Sequence, residues 1–395
     1  MNRRIKVSGT GCCLVDLIYN QVSFRSEEIK PFLSDVQGDG GLVPGQLVFR
    51  KELERYSGKE LTEILAILTK GRTMDKINVG GPGIVAMISA SQLCPEDAAS
   101  FSFYGHGGKD RDGNYLLNAI SNTRVGTDHY TLVDGTTPTT VVLSDPGFNR
   151  GQGERIFINS ISVAEDYPLE VLNDSFFSSD VVVFGGTALV PPVHRALTYL
   201  LTRSKESGCM TVVNTVFDFL SEKSNPGKRW LLGRDDSSYS LIDLLIMDRE
   251  EALRLSGRGD MEGALDFFIQ HGTGAVVISQ GVSDVWAYSN GERYSNEGIF
   301  NLPVSWMISE ELAKGTKGDT TGCGDNFAGG IIASTVKQLA GGREQPDLLE
   351  AVSMGIVSGG FTCFYLGGVY QEVRHGEKQA LIQPYYEAYA SQRNT

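Results

Sequence analysis

The stretch Asp319-Thr-Thr-Gly-Cys-Gly-Asp-Asn-Phe-Ala-Gly-Gly330 decides the fold of this chain. It places glycines and the acid Asp325 at the start of a predicted helix. In that helix, apolar residues recur at multiples of four positions, at Phe327, Ile331 and Leu339. The stretch therefore predicts a glycine-rich loop that leads into a buried helix.

The glycines of this stretch favour the binding of an anion. The first turn of a helix offers unpaired N–H groups and the positive end of the macrodipole. Gly322, Cys323 and Gly324 would let that backbone approach a phosphate. A carboxylate such as Asp325 would compete with a bound phosphate. A phosphoryl-transfer site resolves this conflict, because the N–H groups hold the moving charge while Asp325 takes a proton from the attacking hydroxyl.

The same stretch resembles the C-terminal signature of the ribokinase (PfkB) family of carbohydrate kinases, which is close to Asp-Thr-x-Gly-Ala-Gly-Asp followed by a small-residue helix. The resemblance implies that Asp325 is the catalytic base and that the backbone of Gly322, Cys323 and Gly324 forms the anion hole. Cys323 replaces the usual small Ala or Gly, a mild departure because the family uses the backbone there. On this motif alone, an ordinary loop capped by Asp325 remains the alternative.

Two motifs near the start of the chain resemble the substrate-binding part of the family. Gly9-Thr-Gly-Cys-Cys-Leu-Val-Asp16 follows the first predicted strand, and Val79-Gly-Gly-Pro-Gly-Ile-Val-Ala86 precedes a helix. The resemblance implies that Asp16 binds sugar hydroxyls, for which a carboxylate suits because it accepts two hydrogen bonds. It also implies that Gly80 and Gly81 bring the backbone against the substrate. A turn or cap role for Asp16 stays open.

The family has an Asn where this chain has Val85, so the sequence predicts a less polar or differently shaped pocket. Gly105-His-Gly-Gly-Lys-Asp-Arg-Asp-Gly113 also matches a family pattern, with a structural turn as the equal alternative.

Two further motifs resemble the nucleotide half of the family. Asp248-Arg-Glu-Glu251 matches Asn-x-x-Glu with Asp248 in place of Asn, and Ser279-Gln-Gly281 matches Thr-x-Gly. The resemblance implies that Asp248 and Glu251 organise Mg²⁺, with Glu251 acting through water, and that Ser279 and Gly281 meet the phosphates of ATP. Mg²⁺ keeps several waters and prefers oxygen ligands. A helix N-cap with first-turn acids would look identical at Asp248, and Asp284 replaces an expected glycine.

Composition excludes several other classes of function. The chain has 395 residues and a formal net charge of −13, which disfavours nucleic acid as a partner. It has no apolar run of about 18 residues, so we expect no membrane span, and the start does not read as a signal peptide. Six cysteines lack CxxC spacing, which favours reduced thiols in a cytoplasmic protein over a metal site. Neither HExxH, GxSxG nor a P-loop is present.

Short apolar strands alternate with helical patterns along most of the chain, which predicts an α/β fold with a parallel sheet covered on both faces. Strands are expected at residues 5–13, 102–105, 181–184, 210–214, 244–247 and 275–279, and helices at 61–69, 194–206, 250–255 and 261–271. Residues 139–160 read as a hairpin. By resemblance, residues 1–16, 76–130 and 161–395 form a ribokinase-like three-layer α/β/α core, and 17–75 and 131–160 form a small β-sheet lid.

The motifs occur in the family's order, so the sequence predicts an ATP- and Mg²⁺-dependent kinase acting on a hydroxyl of a sugar or sugar-like molecule, nucleosides included. The alternatives are a catalytically degenerate sugar-binding or regulatory protein of the same fold, and a Rossmann-type oxidoreductase. Leu14, where a dinucleotide motif needs its third glycine, disfavours the oxidoreductase. The acceptor stays open among sugar, sugar acid, sugar phosphate and nucleoside. The resemblance also leaves a homodimer through the lid open.

Overall fold

The computed structural model of the chain describes residues 3–36, 38–148, 153–315, 318 and 320–393. Asp319, the first residue of the glycine-rich motif, lies outside these residues, as do residues 149–152 in the turn of the predicted hairpin. Among the described residues, no helix combines the length and the apolar character that crossing a bilayer requires.

Strands and helices alternate along the chain. The strands are β1 (Ile5–Gly11), β2 (Leu14–Tyr19), β3 (Leu47–Phe49), β4 (Lys76–Gly80), β5 (Ala99–Gly108), β6 (Val125–Gly126), β7 (Tyr130–Val133), β8 (Thr139–Asp145), β9 (Glu154–Ser160), β10 (Val181–Gly185), β11 (Met210–Asn214), β12 (Leu244–Asp248), β13 (Ala275–Gln280), β14 (Ser283–Asn290) and β15 (Glu297–Leu302). The α-helices are α1 (Arg50–Ser57), α2 (Leu61–Thr69), α3 (Pro82–Leu93), α4 (Arg111–Ser121), α5 (Asp174–Phe177), α6 (Pro191–Glu206), α7 (Phe219–Ser224), α8 (Arg249–Ser256), α9 (Met261–Gln270), α10 (Trp306–Ala313), α11 (Cys323–Ala340), α12 (Leu348–Thr362) and α13 (Glu377–Arg393).

Ten strands of the described chain form one large sheet in the order β15-β14-β13-β12-β11-β10-β1-β5-β6, with β7 also paired to β5. In this order, all neighbouring strands from β13 through β1 to β6 are parallel. Strands β14 and β15 extend the sheet beyond β13 through antiparallel pairs. Every residue of β10 is buried, as expected for a strand covered on both faces. The predicted α/β fold with a mostly parallel sheet is confirmed.

Helices cover both faces of the large sheet because successive strand residues point to opposite sides. Val183 and Ile246 pack into a core that includes residues of α3, α11 and α12. Their neighbours Phe184 and Leu245 pack into a second core with residues of α6, α8 and α9. The sheet is therefore the middle of three layers, as predicted.

Helix α11 lies close against its neighbours because small residues line its contact surfaces. A Cβ at Gly329 would come within 2.6 Å of the Ser89 side chain in α3, and one at Gly330 within 2.6 Å of the Met354 carbonyl oxygen in α12. Larger side chains at these positions would push the helices apart. The glycines therefore allow α11 to pack closely between α3 and α12.

A separate sheet of five described strands has the order β3-β9-β8-β2-β4. Strands β8 and β9 pair antiparallel, which confirms the hairpin predicted over residues 139–160. In this sheet, β2 (Leu14–Tyr19) crosses the predicted boundary after residue 16, and β4 (Lys76–Gly80) lies wholly within the segment that was predicted to belong to the core. The division into core and lid stays a prediction.

The parallel strands end at a common edge of the large sheet, which is where ligands bind in open α/β sheets. After β1 the chain builds β5 and β6 on one side, and later β10 to β13 on the other, so the order reverses between β1 and β10. At that point Gly11, with φ of 123°, lies so close to β10 that a Cβ would come within 1.8 Å of the Gly185 carbonyl oxygen. The topology thus places a ligand crevice at this edge.

Candidate active site

A cleft of about 560 Å³ lies between this edge and the small sheet, within the range of small-molecule sites. Its lining includes six residues predicted from the sequence: Asp16, Gly81, Asp248, Glu251, Gly322 and Asp325. They come from both sheets and from three helix N-termini. The fold therefore brings substrate-side and nucleotide-side motifs into one space.

Helix α11 begins at the cleft, immediately after the glycine-rich loop. Its N-cap, Gly322, has φ of 77°, and a Cβ there would lie 2.5 Å from the Gly368 Cα. Only glycine fits this left-handed, crowded position without strain. Gly322 lines the cleft, whereas Cys323 turns its sulfur towards Cys363 at an Sγ–Sγ distance of 3.4 Å. The helix N-terminus thus presents backbone rather than side chains to an anion.

Two side chains that sequence reasoning missed hold this loop in place. The Asn326 amide donates to the carbonyl oxygens of Gly322 and Gly368, at 2.9 and 2.7 Å. The Lys378 amine in turn donates to Asn326 Oδ1 at 2.7 Å and to Ser89 Oγ at 2.9 Å. Burial lowers the pKa of Lys378 to about 7, against the opposing effect of Glu372. Asn326 follows the motif directly, but no local pattern marks Lys378.

Asp325 lies in the first turn of α11 and faces the cleft. Burial raises the pKa of its carboxyl from the ordinary value of 3.8 to about 7. A carboxylate with a pKa near neutrality can exchange a proton readily at physiological pH, as a general base requires. Asp325 therefore has the position and the acidity of a proton acceptor.

Asp248 and Glu251 form a reciprocal capping box at the start of α8. Asp248 Oδ1 accepts from the Glu251 N–H at 2.8 Å, and Glu251 Oε2 accepts from the Asp248 N–H at 3.0 Å. The Thr215 hydroxyl also donates to Glu251 Oε2 at 2.6 Å. The N-cap alternative is therefore correct for Asp248, yet both carboxyls line the cleft. Burial, followed by the charge of Asp248, raises the pKa of Glu251 to about 8.

Ser279 and Gly281 do not appear in the lining of the cleft among the described residues. Ser279 is the register partner of Asp248 on the neighbouring strand, so it lies beside the nucleotide-side carboxylates. Gly281 has φ of 63° in the turn after β13, and a Cβ there would meet no atom within 4 Å. Ser279 thus lies next to a cleft residue, whereas the contact of Gly281 with a nucleotide stays a prediction.

Asp16 lies on β2 with its carboxylate directly against β4. A Cβ at Gly80 would lie 2.3 Å from Asp16 Oδ2, so glycine is what leaves room for the carboxylate. Gly81, with φ of 100°, caps α3 and lines the cleft beside it. Asp16, Gly80 and Gly81 therefore lie together, and their role in substrate binding stays a prediction.

Two further polar residues of the small sheet lie next to Asp16 across neighbouring strands, and sequence reasoning missed both. Thr140 on β8 is the register partner of Asp16, and Asn159 on β9 is the register partner of Thr140. All three line the cleft, and the Asn159 amide donates to Thr140 Oγ1 at 2.9 Å. Asn159 Oδ1 is buried and has no hydrogen-bond partner in the part of the chain that the structure describes. The alternation of residues along the hairpin could have indicated that Thr140 and Asn159 share one face of the sheet. It could not have indicated that this face lines the cleft.

Val85 is not a pocket residue among those described. It lies in α3 with 1% exposure, and its methyl groups are 3.4 Å from the position of a Cβ at Gly368. The expectation that Val85 makes the pocket less polar is therefore wrong. Its apolar side chain instead packs in the core beside Gly368, in the segment after α12.

Arg155 on β9 reaches across the cleft to the glycine-rich loop. Its guanidinium donates to Thr321 Oγ1 at 2.7 Å and also to the Thr320 hydroxyl. Arg155, Thr320 and Thr321 all line the cleft. This contact joins the small sheet to the N-terminus of α11. No sequence pattern indicated it, because the residues are far apart in the chain.

A second cavity, of about 260 Å³, adjoins the cleft. The two spaces share Gln46, Leu47, Phe217 and Phe219 in their linings. Two of these are aromatic, Gln46 immediately precedes β3, and Leu47 is the first residue of β3. The cleft therefore adjoins a partly aromatic space.

The residues of the cleft fit a magnesium nucleotide. Among the described residues, a Cβ at Gly324 would meet no atom within 4 Å, so this position is open to an approaching phosphate. Asp248 and Glu251 supply oxygen ligands nearby. Within the described ranges, no group of three or more His, Cys, Asp or Glu forms a closed metal cage. Mg²⁺ needs none, since it is usually held by one or two carboxylates, substrate phosphates and waters.

Comparison with known proteins gives consistent results. The profile described as "pfkB family carbohydrate kinase" matches residues 69–372. A fructokinase from Vibrio alginolyticus is 23% identical over 286 residues, covering 66% of this chain and 84% of that protein.

Solved structures share the fold. Adenosine kinase from Schistosoma mansoni, in complex with 2-fluoroadenosine, superposes with a TM-score of 0.68 at 16% identity, covering 93% of this chain and 97% of that one. Ribokinase from Thermotoga maritima superposes with a TM-score of 0.62 at 14% identity, covering 97% and 99%.

Proposed function

The chain belongs to the pfkB family of carbohydrate kinases, phosphotransferases that act on hydroxyl groups, and we propose that it transfers the γ-phosphoryl group of ATP to a hydroxyl of a sugar or nucleoside with Asp325 as general base. The observation that carries this proposal is the position of Asp325. Its carboxyl, with a pKa raised to about 7, lies at a helix N-terminus and in one cleft with Asp16 and Glu251.

In the proposed mechanism, Asp16 and the backbone at Gly81 orient the acceptor hydroxyl towards Asp325. Asp325 accepts the hydroxyl proton as the oxygen attacks in line. The backbone N–H groups of the segment Gly322–Gly324 face the charge that develops on the transferred group. Asp248 and Glu251 would hold hydrated Mg²⁺, which neutralises phosphate charge when bound. Each proposed role matches the position of the residue in the cleft and the chemistry of the group that it presents there.

The small sheet serves in this proposal as a lid. Arg155 connects it to Thr320 and Thr321, immediately before the anion hole. A lid held there would exclude water from the attacking oxygen and so limit wasteful ATP hydrolysis. The same guanidinium brings a positive charge to the side of the cleft where phosphates would lie.

The adjoining cavities favour an acceptor larger than a monosaccharide. Asp16, Thr140 and Asn159 offer a polar row for hydroxyls, whereas Phe217 and Phe219 line both the cleft and the second cavity. Aromatic side chains contact flat rings well. A nucleoside, with a hydroxylated sugar and a planar base, fits both surfaces, and one fold relative was solved with 2-fluoroadenosine.

The test is ADP release from Mg-ATP across a panel of hexoses, pentoses, sugar acids, sugar phosphates and nucleosides. Asp325→Asn serves as the blank. Asp260→Asn serves as the matched control, because Asp260 caps α9 outside the cleft and Asn caps helices equally well. An acceptor-dependent signal lost only in the blank supports the proposal. Bound ATP without ADP release on any acceptor would favour the degenerate binding protein instead.

The pH dependence of kcat/KM should follow the ionisation of Asp325. A base acts only when deprotonated, and the pKa of this carboxyl is raised to about 7 by burial. We expect a plateau above about pH 8 and a tenfold loss for each unit below the pKa. Initial rates at saturating Mg-ATP, between about pH 5 and pH 9, measure this. A profile that stays flat down to about pH 5 would contradict the assigned pKa.

Asp16→Asn should raise the KM for the acceptor by about 10–100-fold, since a hydrogen bond to a charged group contributes roughly 1.5–3 kcal/mol. The KM for ATP should change little, because Asp16 lies on the substrate side. Separate titrations of acceptor and ATP measure the two constants. Asp75→Asn is the matched control, an exposed acid just before β4. Equal changes in both constants for Asp16→Asn would point to a general structural defect.

A further inference from the structure

Two thiols lie in contact at the start of the phosphate-binding helix. Cys323 is the first residue of α11, and Cys363 is the C-cap of α12. Their sulfur atoms are 3.4 Å apart although the residues are 40 positions apart in the chain. Both residues are partly exposed. The pair is therefore both adjacent and accessible.

The remaining cysteines of the chain are in a different situation. Cys12, Cys13, Cys94 and Cys209 are all buried, at 7% exposure or less. Burial also raises the pKa of each of these four thiols, which makes the reactive thiolate scarce. An oxidant in solution would therefore meet the pair at Cys323 and Cys363 first.

The packing of α11 on α12 brings the two sulfurs together. A Cβ at Gly359 in α12 would lie 3.0 Å from the Cys323 carbonyl oxygen. A Cβ at Gly318 would lie 2.0 Å from the Cys363 carbonyl oxygen. The absence of side chains at these glycines allows close approach of the backbones. Cys363 thus touches the glycine-rich loop near its start as well as at α11.

We propose that Cys323 and Cys363 are a redox modification site, which forms a reversible disulfide on exposure to peroxide and thereby lowers phosphoryl transfer. The formation of the disulfide stands on the thiol geometry alone. Its effect on phosphoryl transfer rests on the function proposed above for the Gly322–Gly324 backbone.

The reaction balances with hydrogen peroxide as the oxidant. Peroxide oxidises one thiol to a sulfenic acid and leaves as water. The second sulfur attacks the sulfenic sulfur, forms the S–S bond and expels hydroxide, which takes up the thiol proton to give a second water. The two thiols lose two electrons and two protons in all, and one peroxide becomes two waters. A dithiol reductant reverses the change by thiol–disulfide exchange.

Bond formation draws Cys323 towards α12 and so pulls on the backbone that would hold the phosphate. The sulfurs have to approach by roughly 1.4 Å, from 3.4 Å to the S–S bond length of about 2.05 Å. Cys323 lies between Gly322 and Gly324, so the movement displaces the proposed anion hole. A misplacement of about 1 Å at a reacting centre can cost about a hundredfold in rate. We expect the rate of phosphoryl transfer to fall by at least about tenfold. This is less than a hundredfold because α11 and α12 share the displacement.

The experiment treats the reduced full-length protein with a small excess of hydrogen peroxide, traps free thiols by alkylation and maps the peptides by mass spectrometry. ADP release is measured on the same samples, before and after dithiothreitol. Cys363→Ser should keep its basal activity and resist peroxide, because Cys363 is outside the proposed catalytic machinery. Cys209→Ala, which removes a buried thiol elsewhere, should respond like the natural protein. Cys363→Ala replaces the Ser variant if that one fails to fold.

A peptide linking Cys323 to Cys363, with an activity loss that dithiothreitol restores and Cys363→Ser escapes, is the expected result. Absence of the linked peptide while other residues are oxidised would overturn the proposal. So would a linked peptide with unchanged phosphoryl transfer. If no acceptor in the panel supports ADP release, the linked peptide still decides the modification site, and it is the proposed kinase function that fails.

Discussion

Replacing Asp325 with Asn is expected to lower kcat by about 10²–10⁴-fold, the usual contribution of a general base. The amide keeps the shape of the side chain but cannot take the hydroxyl proton. ATP affinity should stay close to that of the natural protein, because the backbone of the glycine-rich loop is unchanged. Single-turnover rates and nucleotide titrations measure the two effects. Turnover within about tenfold of the natural rate would show that another group is the base.

The same variant should also unfold less easily at alkaline pH. The pKa of Asp325 is 3.8 in its ordinary state and about 7 in the folded protein. Folding therefore disfavours the carboxylate, and stability falls as the pH rises through the folded pKa. Removing the charge should raise the free energy of unfolding at about pH 8 by on the order of 1–3 kcal/mol. Urea unfolding at about pH 5 and pH 8 tests this sign, since the gain should shrink at the lower pH.

Replacing Arg155 with Met should lower kcat by about 10²–10³-fold, the range seen when one charge-stabilising donor is lost. The change removes both the guanidinium beside the glycine-rich loop and its hydrogen bonds to Thr320 and Thr321. Arg155→Lys should recover part of the activity, because it keeps the charge but not the forked geometry. Steady-state rates at saturating Mg-ATP and acceptor provide the measurement.

Arg25→Met is the matched control for this position. Arg25 belongs to the segment that follows β2 and is exposed, with its guanidinium 5.7 Å from the centre of the Phe148 ring. It does not line the cleft among the described residues, so its loss should leave kcat unchanged. An Arg155→Met variant that matches this control would exclude a role for the guanidinium in the transfer step. It would also remove the support for a closed lid.

The fold could be predicted because its determinants are local. Runs such as Val181–Gly185 are apolar at every position, which indicates a strand buried on both faces. Helix α2 was predicted at the bounds that the structure gives, Leu61–Thr69, because its apolar positions follow helical spacing. The small sheet was harder to delimit. Strand β2 follows β1 after two residues, and no pattern indicates that the chain changes sheets there.

The candidate site could be predicted only where its residues lie close together in the chain, within one short motif. The glycine-rich loop, Asp16 with its glycine partners, and the acids at Asp248 and Glu251 each belong to a short motif. Arg155, Thr140 and Asn159 could not be found in this way, because nothing near them in the chain marks them as lining the cleft. Val85 shows the opposite error. A motif position suggested a pocket wall, but the helix turns that side chain into the core.

By itself, the sequence determined the three-layer fold, the family and those residues whose local backbone conformation accepts few amino acids. Gly322, whose φ of 77° and crowding by Gly368 exclude a side chain, is such a residue. Only the tertiary structure decided which distant side chains meet. The Arg155 contact with the loop, the Lys378 support of Asn326 and the thiol pair at Cys363 are of this kind. The physical reason is that local patterns record periodicity and backbone sterics, whereas contacts across the chain depend on how whole helices and sheets pack.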